Sequence, residues 1–160
     1  MAGACSTLST SVDFDRTADF SRYRTYAWKD TGEVADPVWK RRVEGVLEDT
    51  AAARGLKKVP QGGDLRMVVH ARLAVETQVT TWNAGWGYGW GWGPGPAVTQ
   101  VTQIPVGTMI VDLVDAKSDQ LVWRGIANDT LQPGKEPEER EEKLRKVMAG
   151  LFASYPPTPK

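Results

Sequence analysis

Candidates for chemistry are few, because the chain has a single histidine, His70, and a single cysteine, Cys5. His70 falls on the polar parity of an alternating strand and could act as a general base, yet no recognisable motif places a serine or cysteine beside it. Asp13, Asp15 and Asp19 form an acidic cluster, and the first two share a strand face, which would suit a divalent cation or a pair of hydrolytic carboxylates. Solubility at a strand end and capping of turns account for the same three residues at less cost. One cysteine and one histidine exclude the usual Cys/His zinc clusters and an internal disulfide framework. Neither GxxxxGK followed by Ser or Thr nor GxGxxG between a strand and a helix is present, so nucleotide binding is set aside.

The remaining candidate is WNAGWGYGWGWGPGP, Trp82 to Pro96, which holds four of the seven tryptophans. Trp82, Trp86, Tyr88, Trp90 and Trp92 are all even-numbered, whereas Gly85, Gly87, Gly89, Gly91, Gly93 and Gly95 are all odd. If the segment is extended, the rings line one face and the other is bare backbone. The preceding strand carries its apolar residues on odd positions, so an unbroken register puts the rings on the side the core does not use. Such a platform could stack on sugar rings, settle at a membrane interface or anchor an envelope protein. A hairpin tip whose rings stack on one another is the plainer alternative.

The elements that would position these residues follow from periodicity. Val12 and Phe14 alternate with Asp13 and Asp15, and Tyr26 and Trp28 share a face in YRTYAWK, so two short strands are expected, able to pair as a hairpin across Arg16 to Ser21. Asp36-Pro37 starts a helix to about Arg54, with Trp39, Val43, Val46, Leu47 and Thr50 on one face. From Asp64 the period becomes two, with Leu65, Met67, Val69, Ala71, Leu73 and Val75 on one side. Val98 to Ile104 and GTMIVDLVDA continue as strand, with Pro105 and Gly107 predicting a bulge or an edge position. Asp115 to Gln120 reads as a turn, and LVWRGIAND as a last strand with Leu121, Trp123 and Ala127 on one face. These three long strands form an antiparallel meander. A second helix opens near Glu136-Pro137, where the acidic run suits the helix dipole, and carries Leu144, Val147, Met148, Leu151, Phe152 and Tyr155.

The fold class expected is α+β: an antiparallel sheet with two amphipathic helices packed on one face and a long hairpin tipped by glycine and tryptophan. The chain has 160 residues, enough for one domain with a real core, and Lys+Arg balance Asp+Glu at 20 each. That balance gives no reason to expect nucleic acid. No run approaches the ~20 apolar residues that cross a bilayer. Residues 1–11 read as a signal remnant and tether, 12–157 as the domain with 82–96 as its tip, and 158–160 as a tail. Ala2-Gly3-Ala4-Cys5 resembles the end of a bacterial lipoprotein signal, although no charged and apolar parts precede it. A truncated start, a start assigned inside the signal, and an ordinary free thiol are the alternatives.

VDFDRTADFSRYRTYAW, DLRMVVHARL, GTMIVDLVDAKSDQLVWRGIA and LRKVMAGLFASYPP resemble, in order and spacing, the domain of unknown function 4136 family, a group of bacterial cell-envelope lipoproteins. The likeness runs from Cys5 to Pro157, with the glycine–tryptophan segment as a variable insertion, and brings no catalytic residues. It implies acylation of Cys5, and Ser6 after it resembles an outer-membrane signal because no aspartate follows the cysteine. The domain would then face the periplasm on a tether from Ser6 to Ser11. The function expected is a non-catalytic, lipid-anchored envelope structural or interaction module, with no metal and no cofactor. A peptidoglycan- or polysaccharide-binding domain using the Trp82–Trp92 platform is the alternative, and a hydrolase using Asp13, Asp15 or His70 is third.

Overall fold

The computed structural model describes residues 8–29, 36–83, 97–130 and 136–158. Among the described residues six strands form one sheet: β1 (Ser9–Phe14), β2 (Thr25–Lys29), β3 (Lys57–Lys58), β4 (Leu65–Asn83), β5 (Ala97–Asp115) and β6 (Leu121–Thr130), with helices α1 (Pro37–Ala53) and α2 (Pro137–Leu151). Their order across the sheet is β1-β6-β5-β4-β2-β3. The β4-β5-β6 centre is the antiparallel meander that the period-two pattern predicts.

The flanks differ from expectation. β1 pairs antiparallel with β6, Phe14 opposite Trp123, while β2 pairs parallel with β4, Tyr26 opposite Leu65. The expected β1–β2 hairpin does not form, and the sheet is mixed, not antiparallel throughout. Both strands lend an apolar face to the same core, but three strands stand between them. The ten residues from Asp15 to Arg24 can extend about 33 Å, more than the roughly 19 Å of four interstrand spacings. The connection can therefore cross the end of the sheet. β2, α1 and β4 then form the crossover unit that a parallel strand pair requires.

Residues at their N-termini explain where both helices start. Asp36 accepts from the backbone N–H of Val38 at 2.8 Å and of Trp39 at 3.3 Å, with Pro37 in the first turn, so the DP start behaves as its chemistry dictates. α2 opens on Pro137 with Glu138 and Glu139 in its first turn. Val43, Val46, Leu47 and Ala51 of α1 and Leu144, Val147, Met148 and Leu151 of α2 lie in one buried cluster with Leu65, Met67, Val69, Val111, Leu113 and Trp123 of the sheet.

One detail of the strands settles an alternative the sequence left open, and another corrects the sequence reading. β5 passes Pro105 and Gly107 without a bulge, opposite Val75 and Leu73. Among the described residues β6 begins to flank β5 only at Val106, opposite Thr130, so Pro105 does stand at an edge position. The irregularity lies instead at Leu113/Val114. That shift turns Val122 into the core and leaves Leu121 42% exposed, although Leu121 was expected beside Trp123 and Ala127.

An aromatic chain closes the end of the core. Phe14 meets Phe20 at 6.1 Å between centroids, Phe20 meets Tyr23 at 5.7 Å and Tyr155 at 5.9 Å, and Trp123 lies 4.8 Å from Phe152 and 6.0 Å from Tyr155. Such contacts add roughly 0.5–1.5 kcal/mol each beyond burial. They join β1, the crossing segment, β6 and the C-terminal turn. Gly125 makes room for the Trp123 ring, since a Cβ there would stand 2.6 Å from its Cη2 atom.

Candidate functional site

Of the aromatic candidates, Trp82 lies in the backbone of β4, opposite Val98. Trp86, Tyr88, Trp90, Trp92 and Cys5 lie outside the described residues. The strand reaches Asn83 with no register shift against β5, so position 82 keeps the parity of Arg66 and His70.

On that parity the sheet carries an ionic group that periodicity had not singled out. Val68, Asp112 and Arg124 stand side by side on β4, β5 and β6. Asp112 is buried, and both its oxygens are taken by the guanidinium of Arg124, Nε donating to Oδ1 at 2.6 Å and Nη2 to Oδ2 at 2.7 Å. The carboxylate in turn raises the Arg124 pKa, chiefly through those hydrogen bonds. His70 Nε2 is 3.4 Å from Asp112 Oδ2, and the imidazole is partly exposed. The structure thus brings the one histidine to a carboxylate, as a catalytic dyad would. A bidentate arginine already engages that carboxylate, so the arrangement fits a structural ion pair on the sheet surface better than a general base.

The acidic cluster near the N-terminus does not converge. Asp13 accepts from the backbone N–H of Phe14, Asp15 from the N–H and hydroxyl of Thr17, and Asp19 from the N–H and hydroxyl of Ser21. Those bonds hold the Asp15 and Asp19 carboxyls below the usual range, the side-chain hydroxyl contributing most in each case. Asp13 stays within β1, and Asp15 and Asp19 each serve their own turn. Among the described residues no group of three or more His, Cys, Asp or Glu side chains is gathered as metal ligands.

The strongest polar centre is Asp115, which the sequence reading passed over as a turn residue. It has the parity of Val111 and Leu113, so a carboxylate on the core side of β5 was the available signal. Its Oδ2 accepts from the Tyr23 hydroxyl at 2.7 Å and from Arg22 Nη2 at 2.5 Å, and its Oδ1 from the N–H groups of Lys117 and Ser118. The Tyr23 bond first, then the turn amides and Arg22, outweigh burial and hold this carboxyl far below the ordinary aspartate value. Asp64 does similar work across the sheet, accepting from the N–H groups of Arg24 and Thr25 and from the Thr25 hydroxyl, while its own N–H donates back to that hydroxyl. These two sets of bonds fasten the β2 end of the crossing segment, residues 22–25.

A cleft of about 560 Å³ opens between the β1 end and the C-terminal turn, lined by Phe14, Arg16 and residues 153–158. Arg16 supplies the one charge in its lining. No described helix is long and apolar enough to cross a membrane.

The chain is similar in fold to a PDZ domain protein from Parabacteroides distasonis, with a TM-score of 0.61 and 15% identity, covering 94% of this chain and 35% of that one. It therefore spans about a third of that relative's length. Fainter likenesses are the PelC dodecamer from Paraburkholderia phytofirmans, TM-score 0.49 at 14% identity over 91% of this chain and 97% of that one, and a minor lipoprotein from Acinetobacter baumannii, TM-score 0.34 at 13% identity over 82% and 88%. A search of the curated proteins finds no match. At such identities only a shared fold is shown, and only by the first. The family model described as Domain of unknown function (DUF4136) matches residues 10–157, and the chain belongs to that family.

Proposed function

We propose that this is a non-catalytic domain held in the periplasm by acyl chains on Cys5, attached to the outer membrane and serving as a structural or interaction module of the envelope. The observation that carries the non-catalytic part is the use of the buried carboxylates. Asp112 is clamped by Arg124 and Asp115 by Arg22 and Tyr23, so the two most sequestered acids among the described residues work as fasteners. The anchor is supported by family membership and by the start of β1 at Ser9, four residues after Cys5, which leaves a short tether to an edge of the sheet. Fatty-acid labelling of the full-length protein in its own cell, followed by fractionation, tests this reading. Label and membrane association should both vanish in Cys5→Ala, and a protein that never takes the label refutes the anchor.

The continuous register of β4 favours a second reading, in which the stretch beginning at Trp82 presents rings for a glycan on the face away from the helices. Sedimentation with purified peptidoglycan, wild type against a Trp86→Ala, Trp90→Ala, Trp92→Ala variant, decides it. A wild type that stays in the supernatant removes the glycan.

A further inference from the structure

We infer that the distal part of the β4–β5 ribbon is a self-association element, whose open edges pair with the ribbon of a second copy of this chain. Among the described residues β2 flanks β4 only as far as Val68, and β6 flanks β5 only from Val106. The two strands nonetheless stay paired out to Asn83 opposite Ala97. Among the described residues the ribbon thus runs on for about 30 Å past Val106 with no third strand on either side. A two-stranded ribbon is marginally stable in water by itself, and a third strand is the usual remedy.

The edges of this sheet are treated unequally. The outer strand on one flank is two residues long and consists of Lys57 and Lys58, and the opposite edge strand carries Asp13. Short length and charge are the devices that keep an edge from recruiting another strand. From Leu73 to Asn83 and from Ala97 to Val106 the chain has one charged residue, Glu76, and is otherwise rich in Thr, Val and Gln. Thr and Val favour strands, and all three types pair with themselves without like-charge repulsion. Val101 is 58% exposed within this stretch.

A second copy is the occupant these features select. Each ribbon offers one open β4 edge and one open β5 edge, so the β5 edge of one copy beside the β4 edge of the next continues the antiparallel alternation. Repetition of that step builds a shared sheet. The inference does not depend on the anchor, because the unacylated chain contains both edges.

Light scattering and amide hydrogen exchange on the unacylated full chain test it. The mass should be a multiple of the single chain, amides in 77–83 and 97–103 should gain protection as concentration rises, and Val101→Lys with Gln103→Lys should return the mass to that of one chain. A wild type that stays a single chain at every concentration overturns the inference, as does a folded double variant that keeps the wild-type mass. Should the double variant not fold, the wild-type exchange decides: protection independent of concentration overturns it.

Discussion

The Tyr23 hydroxyl donates to the Asp115 carboxylate at 2.7 Å across 92 residues of sequence. This bond, with the Arg22 guanidinium on the same oxygen and 5.1 Å over the Tyr23 ring, holds the segment that carries the chain from one flank of the sheet to the other. Asp115→Asn should cost about 1.5–3 kcal/mol, the range for hydrogen bonds to a charged group, read by chemical denaturation. The Asp115 pKa is depressed in the folded state, so its contribution is full above the unfolded aspartate value near 4 and is lost as pH falls through the folded value. The variant should accordingly show a flatter loss of stability below about pH 4 than the wild type.

Tyr155 offers the opposite case. Its hydroxyl is buried and has no hydrogen-bond partner among the described residues, and burial pushes its pKa well above the ordinary phenol value. Tyr155→Phe removes an unsatisfied polar group and keeps the ring contacts, so its melting temperature should equal or exceed that of the wild type. Tyr23→Phe should lower stability by roughly 1–3 kcal/mol, because it takes a donor from a buried charge.

Gly125 stands under the Trp123 ring, and Leu151 is the next neighbour a Cβ would meet, at 3.2 Å. Gly125→Val should destabilise by about 1–3 kcal/mol through overpacking, with loss of the near-ultraviolet tryptophan signal before loss of helix. A variant as stable as the wild type would show that the ring can leave its place at no cost.

Arg124 neutralises Asp112 on the open face. Arg124→Ala should cost about 1–3 kcal/mol, less than a fully buried pair because the guanidinium is 41% exposed. Adding Asp112→Asn should recover part of that loss, and the coupling in a double-mutant cycle measures the pair. A coupling near zero would mean that water serves Asp112 as well as the arginine does.

Much of the scaffold is legible in the sequence. The DP start of α1, the acidic start of α2 and the period of two from Leu65 onward depend on residues within one turn or one strand of each other, and the structure places those elements where the pattern does. The single histidine was visible as a polar residue on a strand, but its neighbour Asp112 was not, because cross-strand proximity depends on register.

The sequence by itself determined most of the residues that face the core, the bulged Leu121 and Val122 apart, since burial of an apolar stripe follows from a period of 3.6 or 2.0. It did not determine the partners of β1 and β2. Their apolar faces suit a hairpin as well as two separate flanks, and ten connecting residues reach in either case. The choice falls to the tertiary structure, where Phe14 finds Trp123 across β6, Asp64 seizes Thr25, and Asp115 gathers Arg22 and Tyr23. A carboxylate on the core side of a strand is costly unless donors come to it, and those donors arrive from a segment 92 residues away. Only the folded chain can bring them there.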